Sequence, residues 1–175
     1  GEIRDYDTVD IAIKSALTGH LVLSTLHTTT SGGAIVRLIN MGVEPYLINS
    51  SLVCVAAQRL VRKICDSCKA PLILAKEIAD SLKLDLYGIK KAEFFKGKGC
   101  ERCFNTGYRG RIGIAEILLL SPAIRELILN RAQEHVIKKQ ARQEGAKTLR
   151  EEGLQAALKG LTTIEEVIRV TASDE

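Results

Sequence analysis

The sequence predicts an α/β fold interrupted by a cysteine-rich module and followed by a helical tail. Three observations predict it. A short apolar run, Leu21-Val22-Leu23-Ser24-Thr25-Leu26, is bounded by polar residues and flanked by stretches of helical periodicity. Four of the five cysteines form two Cys-x-x-Cys pairs, Cys65/Cys68 and Cys100/Cys103. Beyond Leu120, caps and apolar stripes recur at helical spacing.

Composition sets the frame. A chain of 175 residues is long enough for one good core or two small ones. It is 46% hydrophobic but only 4% aromatic, with no Trp, so the core must be aliphatic. The net charge of +4 and pI of about 8.8 are mildly basic, and the charges are interspersed. Such a balance argues against a polybasic anchor and gives nucleic acid little to bind. No apolar stretch approaches the roughly 18 residues that span a bilayer, so direct membrane insertion is not expected. The charged, polar start speaks against a signal peptide. The opening Gly1-Glu2-Ile3, without an initiator Met, suggests a piece of a longer protein.

In chain order, Asp7 to Leu17 reads as an amphipathic helix with Asp7 as N-cap and Gly19 as its stop. Leu21 to Leu26 then reads as a strand buried on both faces of a parallel sheet, with His20 before it and His27 after it. Ligands of open α/β sheets sit beyond the carboxyl ends of strands, which points to His27, Thr28, Thr29 and Thr30. Ser31 to Asn40 is a second helix. Pro45 opens a third, expected to run to about Gln58 with Cys54 in the core. Arg59 to Ile64 and Arg111 to Leu120 read as a strand pair, with the cysteine module at its turn. Ser121-Pro122 starts a helix with Ile124, Leu127 and Ile128 on one face; Glu134 to Arg142 and Leu149 to Leu158 follow, the latter stopped by Gly160. Thr162-Thr163-Ile164-Glu165 reads as a capping box for a last helix with Ile164, Val167 and Ile168 inward.

Two Cys-x-x-Cys knuckles supply four thiolates, the ligand set of a closed, structural zinc site. Gly97, Gly99 and Gly107 suit the second knuckle. The long gap from Lys69 to Gly99 is expected to hold a helix from Lys76 to Leu86. A redox dithiol is disfavoured because neither pair opens a helix after a strand.

Glu2, Arg4 and Asp5 form a charged cluster at the start, and a carboxylate after a buried strand is what a nucleotide hydrolase uses to hold Mg²⁺ or orient water. GEIRD, TGHLVLSTLHT, AQRLVRKIC, GCERCFNTGYRGRIGIAEIL and GLTTIEEVIRVT occur in this order. Together they resemble the secretion ATPase superfamily, specifically the assembly ATPases of type II secretion and type IV pili, over essentially the whole chain.

The resemblance implies part of a RecA-like P-loop NTPase. Residues 1–64 would be the carboxyl-terminal part of the core, 65–110 the inserted zinc module, 111–120 the returning core strand and 121–175 an all-helical domain. It implies Glu2 as the catalytic carboxylate, His20 and His27 on the γ-phosphate side, and Arg4 as a charge stabiliser. Glu2, His27 and Thr28 would contact nucleotide, and Cys65, Cys68, Cys100 and Cys103 would hold zinc. ATP and Mg²⁺ would serve a cytoplasmic homo-hexamer peripheral to the bacterial inner membrane and acting on a platform protein there.

Thr29 departs from the family's Asn, and the cysteines set the chain apart from retraction ATPases. The sequence contains no G-x-x-x-x-G-K-[ST] motif, Gly97-Lys98-Gly99 included. The phosphate loop is expected upstream, so this chain alone should hydrolyse ATP negligibly and be marginally stable or self-associating. The alternative is a zinc-ribbon-type nucleic-acid-binding or scaffold module without catalysis. Few aromatics for base stacking, and basic residues that do not concentrate on the knuckles, weigh against it.

Overall fold

A computed structural model describes residues 1–73 and 93–171. The expected helix from Lys76 to Leu86 lies outside the described residues. Contacts divide the chain into two units: residues 1–57 with 116–147, and 58–115 with 148–175.

The first unit is built on helices. Its α1 (Tyr6–Leu17) is capped by Asp5, not Asp7, since the Asp5 carboxylate accepts the Thr8 N–H at 2.8 Å. Helix α2 (Ser31–Asn40) begins and ends where its glycines and apolar spacing predict. Helix α3 (Pro45–Ser51) stops well short of Gln58. The chain turns extended at Leu52, and strand β1 (Cys54–Ile64) takes over. The β-branched and apolar residues Val53 to Ala57 fit a half-buried strand as well as a helix. Cys54 is therefore an exposed strand residue and not a core helix residue. Helices α4 (Pro122–Leu129) and α5 (Glu134–Gln143) complete the unit. Its core joins Val9 and Ile13 of α1, Ile35 and Leu38 of α2, and Ile48 of α3 to Ile124, Ile128 and Ile137.

The strand expected over Leu21–Leu26 does not form. One parallel bridge, Glu2 to Thr25, is its pairing, with the Ile3 N–H donating to Thr25 O at 2.9 Å. Leu21 is 87% and Leu23 81% exposed. A parallel strand is stable only with neighbours on both edges and helices on both faces. Among the described residues, a single short segment pairs with this one.

The second unit carries the cysteines. Strands β2 (Lys69–Leu72) and β3 (Phe94–Gly97) pair antiparallel, Lys69 opposite Gly97 and Leu72 opposite Phe94. Strand β4 (Tyr108–Leu119) pairs with β1, and the unit boundary crosses both strands. Helices α6 (Leu149–Leu158) and α7 (Ile164–Val170) pack Leu154, Ala157, Ile164 and Val167 around Phe94. Gly153 is mid-helix because a Cβ there would stand 2.6 Å from Val167 Cγ1. Helix α7 begins one residue later than expected: Thr163, not Thr162, caps it through the Glu166 N–H. Ile168 is 38% exposed and does not face inward. The four described helices after Leu120 are thus shared between the units, α4 and α5 in the first, α6 and α7 in the second.

Candidate active site and metal centre

Glu2 is brought to His27 by the same bridge that pairs it with Thr25. Both carboxylate oxygens are engaged. Arg4 donates to Oε2 from Nε at 2.8 Å and from Nη2 at 2.6 Å, and His27 Nε2 contacts Oε1. Arg4 is the main cause that holds the Glu2 carboxyl below its usual range; partial burial opposes it, and His27 adds a smaller pull downward. Arg4 and His27 are largely exposed, whereas the Glu2 side chain is 24% exposed. A carboxylate held ionised in this way is a weak proton acceptor but a good hydrogen-bond acceptor and cation ligand. It suits orienting a water molecule better than fully deprotonating it.

His20 stands at the other end of the extended segment, bonded to Thr18 Oγ1 at 3.1 Å. That hydroxyl already donates to Ser15 O at 2.8 Å, so the His20 ring is the donor to it from Nδ1. The structure thus brings Glu2, Arg4 and His27 together and leaves His20 on the end of α1. Thr28 follows in a tight turn, its N–H donating to Leu26 O at 3.0 Å.

The two residues after Thr29 are held structurally. Thr30 accepts the Gly33 N–H as the cap of α2 and donates to Glu134 Oε1 at 2.7 Å. Ser31 gives its N–H at 3.0 Å, and its hydroxyl, to the buried Glu116. Thr30 is therefore taken by the fold and is not at a ligand's disposal. Glu116 escaped the sequence reading, though a signal existed. Ile114, Glu116 and Leu118 share one buried face of β4 at period two, and an acid in that series calls for a buried donor.

Glu166 was also missed. Its side chain is 1% exposed and gathers three groups. Arg62 donates from its backbone N–H at 2.9 Å and from Nη2 at 2.6 Å, and Arg169 donates from Nε and Nη2, each at 2.9 Å. Arg169 is foremost in driving this carboxyl far below the usual range, with Arg62 adding to it against the cost of burial. Arg62 also lies over the Tyr108 ring, 4.1 Å from its centre, and the Tyr108 hydroxyl bonds Thr163 Oγ1 at 2.9 Å.

The four cysteines converge. Their sulfurs lie within 4.8 Å of one another, with Cys65–Cys100 at 3.8 Å, Cys68–Cys103 at 3.9 Å and Cys100–Cys103 at 3.7 Å. A tetrahedral zinc with Zn–S bonds of about 2.3 Å has S···S edges of about 3.8 Å. The cluster already has those edges, so the residues fit the ion. Burial pushes the Cys68 thiol up to about 11. Burial acts on Cys103 in the same sense, but the N–H groups of Cys100 and Gly107 outweigh it and hold Cys103 down at about 6. Those N–H groups stand 3.2 and 3.3 Å from its sulfur. A cluster that stabilises thiolate while packing four sulfurs together suits a cation better than four neutral thiols. The strand end closes tightly on the knuckle: a Cβ on Gly97 would fall 2.0 Å from Gly107 O.

No described helix is long and apolar enough to cross a membrane.

The chain is similar to known proteins over nearly its whole length. The sequence model of the family described as "Type II/IV secretion system protein" matches residues 1–169. The type IV pilus assembly ATPase PilB of Thermus thermophilus is 48% identical over 171 residues, covering 98% of this chain and 19% of that protein. The type II secretion system ATPase E of Vibrio cholerae is 47% identical over 174 residues, covering 98% of this chain and 33% of that protein. The chain thus spans between a fifth and a third of the length of these relatives. In fold it is similar to the ATPase DotB of Legionella pneumophila, with a TM-score of 0.62 at 18% identity over 97% of this chain and 37% of that one.

Proposed function

Because the chain belongs to the type II/IV secretion system protein family, we propose that it is part of an ATP-hydrolysing motor for type II secretion or type IV pilus assembly. The observation that carries the proposal is Glu2, held ionised by Arg4 and in contact with His27, within a chain whose relatives are named as ATPases of these systems. Glu2 would orient the attacking water, with its partner Arg4 keeping it charged. His27 and Thr28, at the end of the segment that carries the bridge, would face the γ-phosphate, and Mg²⁺ would accompany the nucleotide. His20, bonded to Thr18, would act at the other end of that segment and couple the site to α1.

Cys65, Cys68, Cys100 and Cys103 would hold a structural zinc, whose contribution is to close the knuckles and not to activate water, since four thiolates leave no open position. The full protein would be a cytoplasmic homo-hexamer at the inner face of the inner membrane, working on a platform protein. Residues 1–64 and 111–120 would belong to a RecA-like core. Because no phosphate-loop motif occurs in these 175 residues, this chain alone would turn over ATP negligibly.

The test is made on the full-length protein. Glu2→Gln keeps the shape and removes the charge. Turnover should fall about 100-fold, the scale of a mispositioned reacting group, with nucleotide binding retained. Turnover close to wild type would sink the role of Glu2. Steady turnover by residues 1–175 alone would sink the expectation that they lack a working site.

A further inference from the structure

Glu116 is a buried carboxylate that the reaction proposed above does not use. It is 9% exposed, and its Oε1 takes both donors of Ser31, the N–H at 3.0 Å and the hydroxyl. Ser31 is itself 4% exposed and opens α2. The helix is capped without this contact, because Thr30 already accepts the Gly33 N–H at 3.1 Å. An uncharged acceptor on β4 would satisfy Ser31 with a smaller desolvation cost than a carboxylate. What the carboxylate adds is strength: charge-assisted hydrogen bonds, and attraction to the positive end of the helix. Capping alone does not explain it.

A second carboxylate grips the same turn from another element. Glu134, at the start of α5, accepts the Thr30 hydroxyl at 2.7 Å, and Lys138 pairs with it at 2.9 Å. Gly32 and Gly33 make room for it: a Cβ on Gly32 would stand 3.3 Å from Glu134 Cγ, and one on Gly33 would stand 2.8 Å from Thr30 Oγ1. Thr30 and Ser31 are thus anchored to α5 and β4, 104 and 85 residues away in the chain. The connection upstream is short. Only Thr28, Thr29 and Thr30 separate His27 from Ser31. On its other side, the Ile3 N–H donates to Thr25 O at 2.9 Å, and Leu26 packs against the aliphatic core. The Thr28 N–H closes on Leu26 O at 3.0 Å, which takes up slack. The turn from His27 to Thr29 is therefore strung between two fixed ends, and the contact of His27 Nε2 with Glu2 depends on both.

We propose that Glu116 is a positioning residue of the Glu2–His27 site: by holding Ser31 in the first turn of α2, it fixes the downstream end of the turn that presents His27 and Thr28. Glu134 secures Thr30 beside it. The inference rests on the function proposed above and deepens it, with residues that act through the turn and not on the nucleotide. Misplacing a reacting group by about 1 Å can cost about 100-fold in rate. A loosened turn therefore lowers kcat more than it raises KM, since the lost alignment matters most in the transition state.

The experiment uses three variants of the full-length protein. Glu116→Leu removes the acceptor, Glu116→Gln keeps an acceptor oxygen without the charge, and Ser31→Ala removes one of the two hydrogen bonds. The last decides the matter if Glu116→Leu fails to fold. The first readout is taken without nucleotide: the rate at which diethyl pyrocarbonate modifies His27, followed by peptide mass spectrometry, with His20 on the end of α1 as internal reference. Relative to His20, the His27 rate should rise about 5-fold in Glu116→Leu and about 2-fold in Ser31→Ala, and stay near wild type in Glu116→Gln. The second readout is steady-state ATP turnover. In Glu116→Leu kcat should fall about 10-fold with KM little changed, and Glu116→Gln should recover most of it. An unchanged His27 rate in the folded variants would overturn the proposal, as would equal acceleration of His20 and His27, or a loss of kcat in Glu116→Gln as large as in Glu116→Leu. A faster His27 with unchanged kcat would overturn it too, provided Glu2→Gln does lower turnover. If Glu2→Gln leaves turnover intact, the reaction assigned to the site fails, while the histidine rates still report whether Glu116 holds the turn.

Discussion

At the residue scale, Glu166 shows how one carboxylate can organise a unit. It is buried, yet every donor it needs is supplied: the Arg62 N–H and two guanidinium groups. Removing it strands the Arg62 N–H, while both guanidiniums, half exposed, regain water. The loss is therefore smaller than for a fully buried pair. Glu166→Ala should destabilise the second unit by about 2 to 3 kcal/mol, measured by denaturant unfolding followed by circular dichroism. The pH dependence has a fixed sign. The folded carboxyl is held below its unfolded value, so its contribution is complete above the ordinary carboxylate range. It drains away as the pH falls below about 4. The wild type should lose stability over that acid window more steeply than Glu166→Ala, and parallel pH curves would refute the assignment.

At the element scale, the helices show which features are written locally. Thr148 and Glu151 form a reciprocal capping box at the start of α6: the Thr148 side chain takes the Glu151 N–H at 3.2 Å, and Glu151 takes the Thr148 N–H at 2.9 Å. Thr148→Ala should cost about 1 kcal/mol, read as a lower unfolding midpoint with an unchanged slope. No change would mean that the end of α6 is held by packing alone. Signals of this kind fix the bounds of α2 and α6 and the start of α4, which the sequence reading located closely. Where several caps compete, as with Asp5 and Asp7 or Thr162 and Thr163, spacing alone could not choose. The choice was made by packing, which buries Val9 and Val167. The segment Leu21–Leu26 failed for the opposite reason: its apolar pattern describes neighbours, and a strand cannot be read from one partner. Of the candidate site, the cysteine set was legible because Cys-x-x-Cys spacing is itself the geometry. Glu2 and His27 were legible through motif resemblance. The partners of Glu166 and Glu116 were not, because they lie 104 and 85 residues away in the chain.

At the scale of the molecule, two units with separate cores should respond separately to the same insult. The first unit is closed by aliphatic packing of Ile35, Ile48, Ile124, Ile128 and Ile137, with no cysteine in its core. In the second, the four-cysteine cluster stands beside a smaller core around Phe94, and the β2–β3 pair is short. Small cores of this size commonly lean on a metal for stability. If zinc occupies the cluster, its binding free energy is folding free energy, and stripping it leaves four sulfurs at about 3.8 Å with partial charge and no cation between them. Chelation should therefore raise amide hydrogen exchange across β2, β3 and the knuckle at Cys100–Gly107 by at least 10-fold, and leave α2, α4 and α5 nearly unchanged. Readdition of zinc should restore protection, because the S···S edges already match the ion. Uniform loss of protection over both units would mean that they unfold as one body. Unchanged exchange in the knuckle would mean that its glycines and hydrogen bonds hold it without metal.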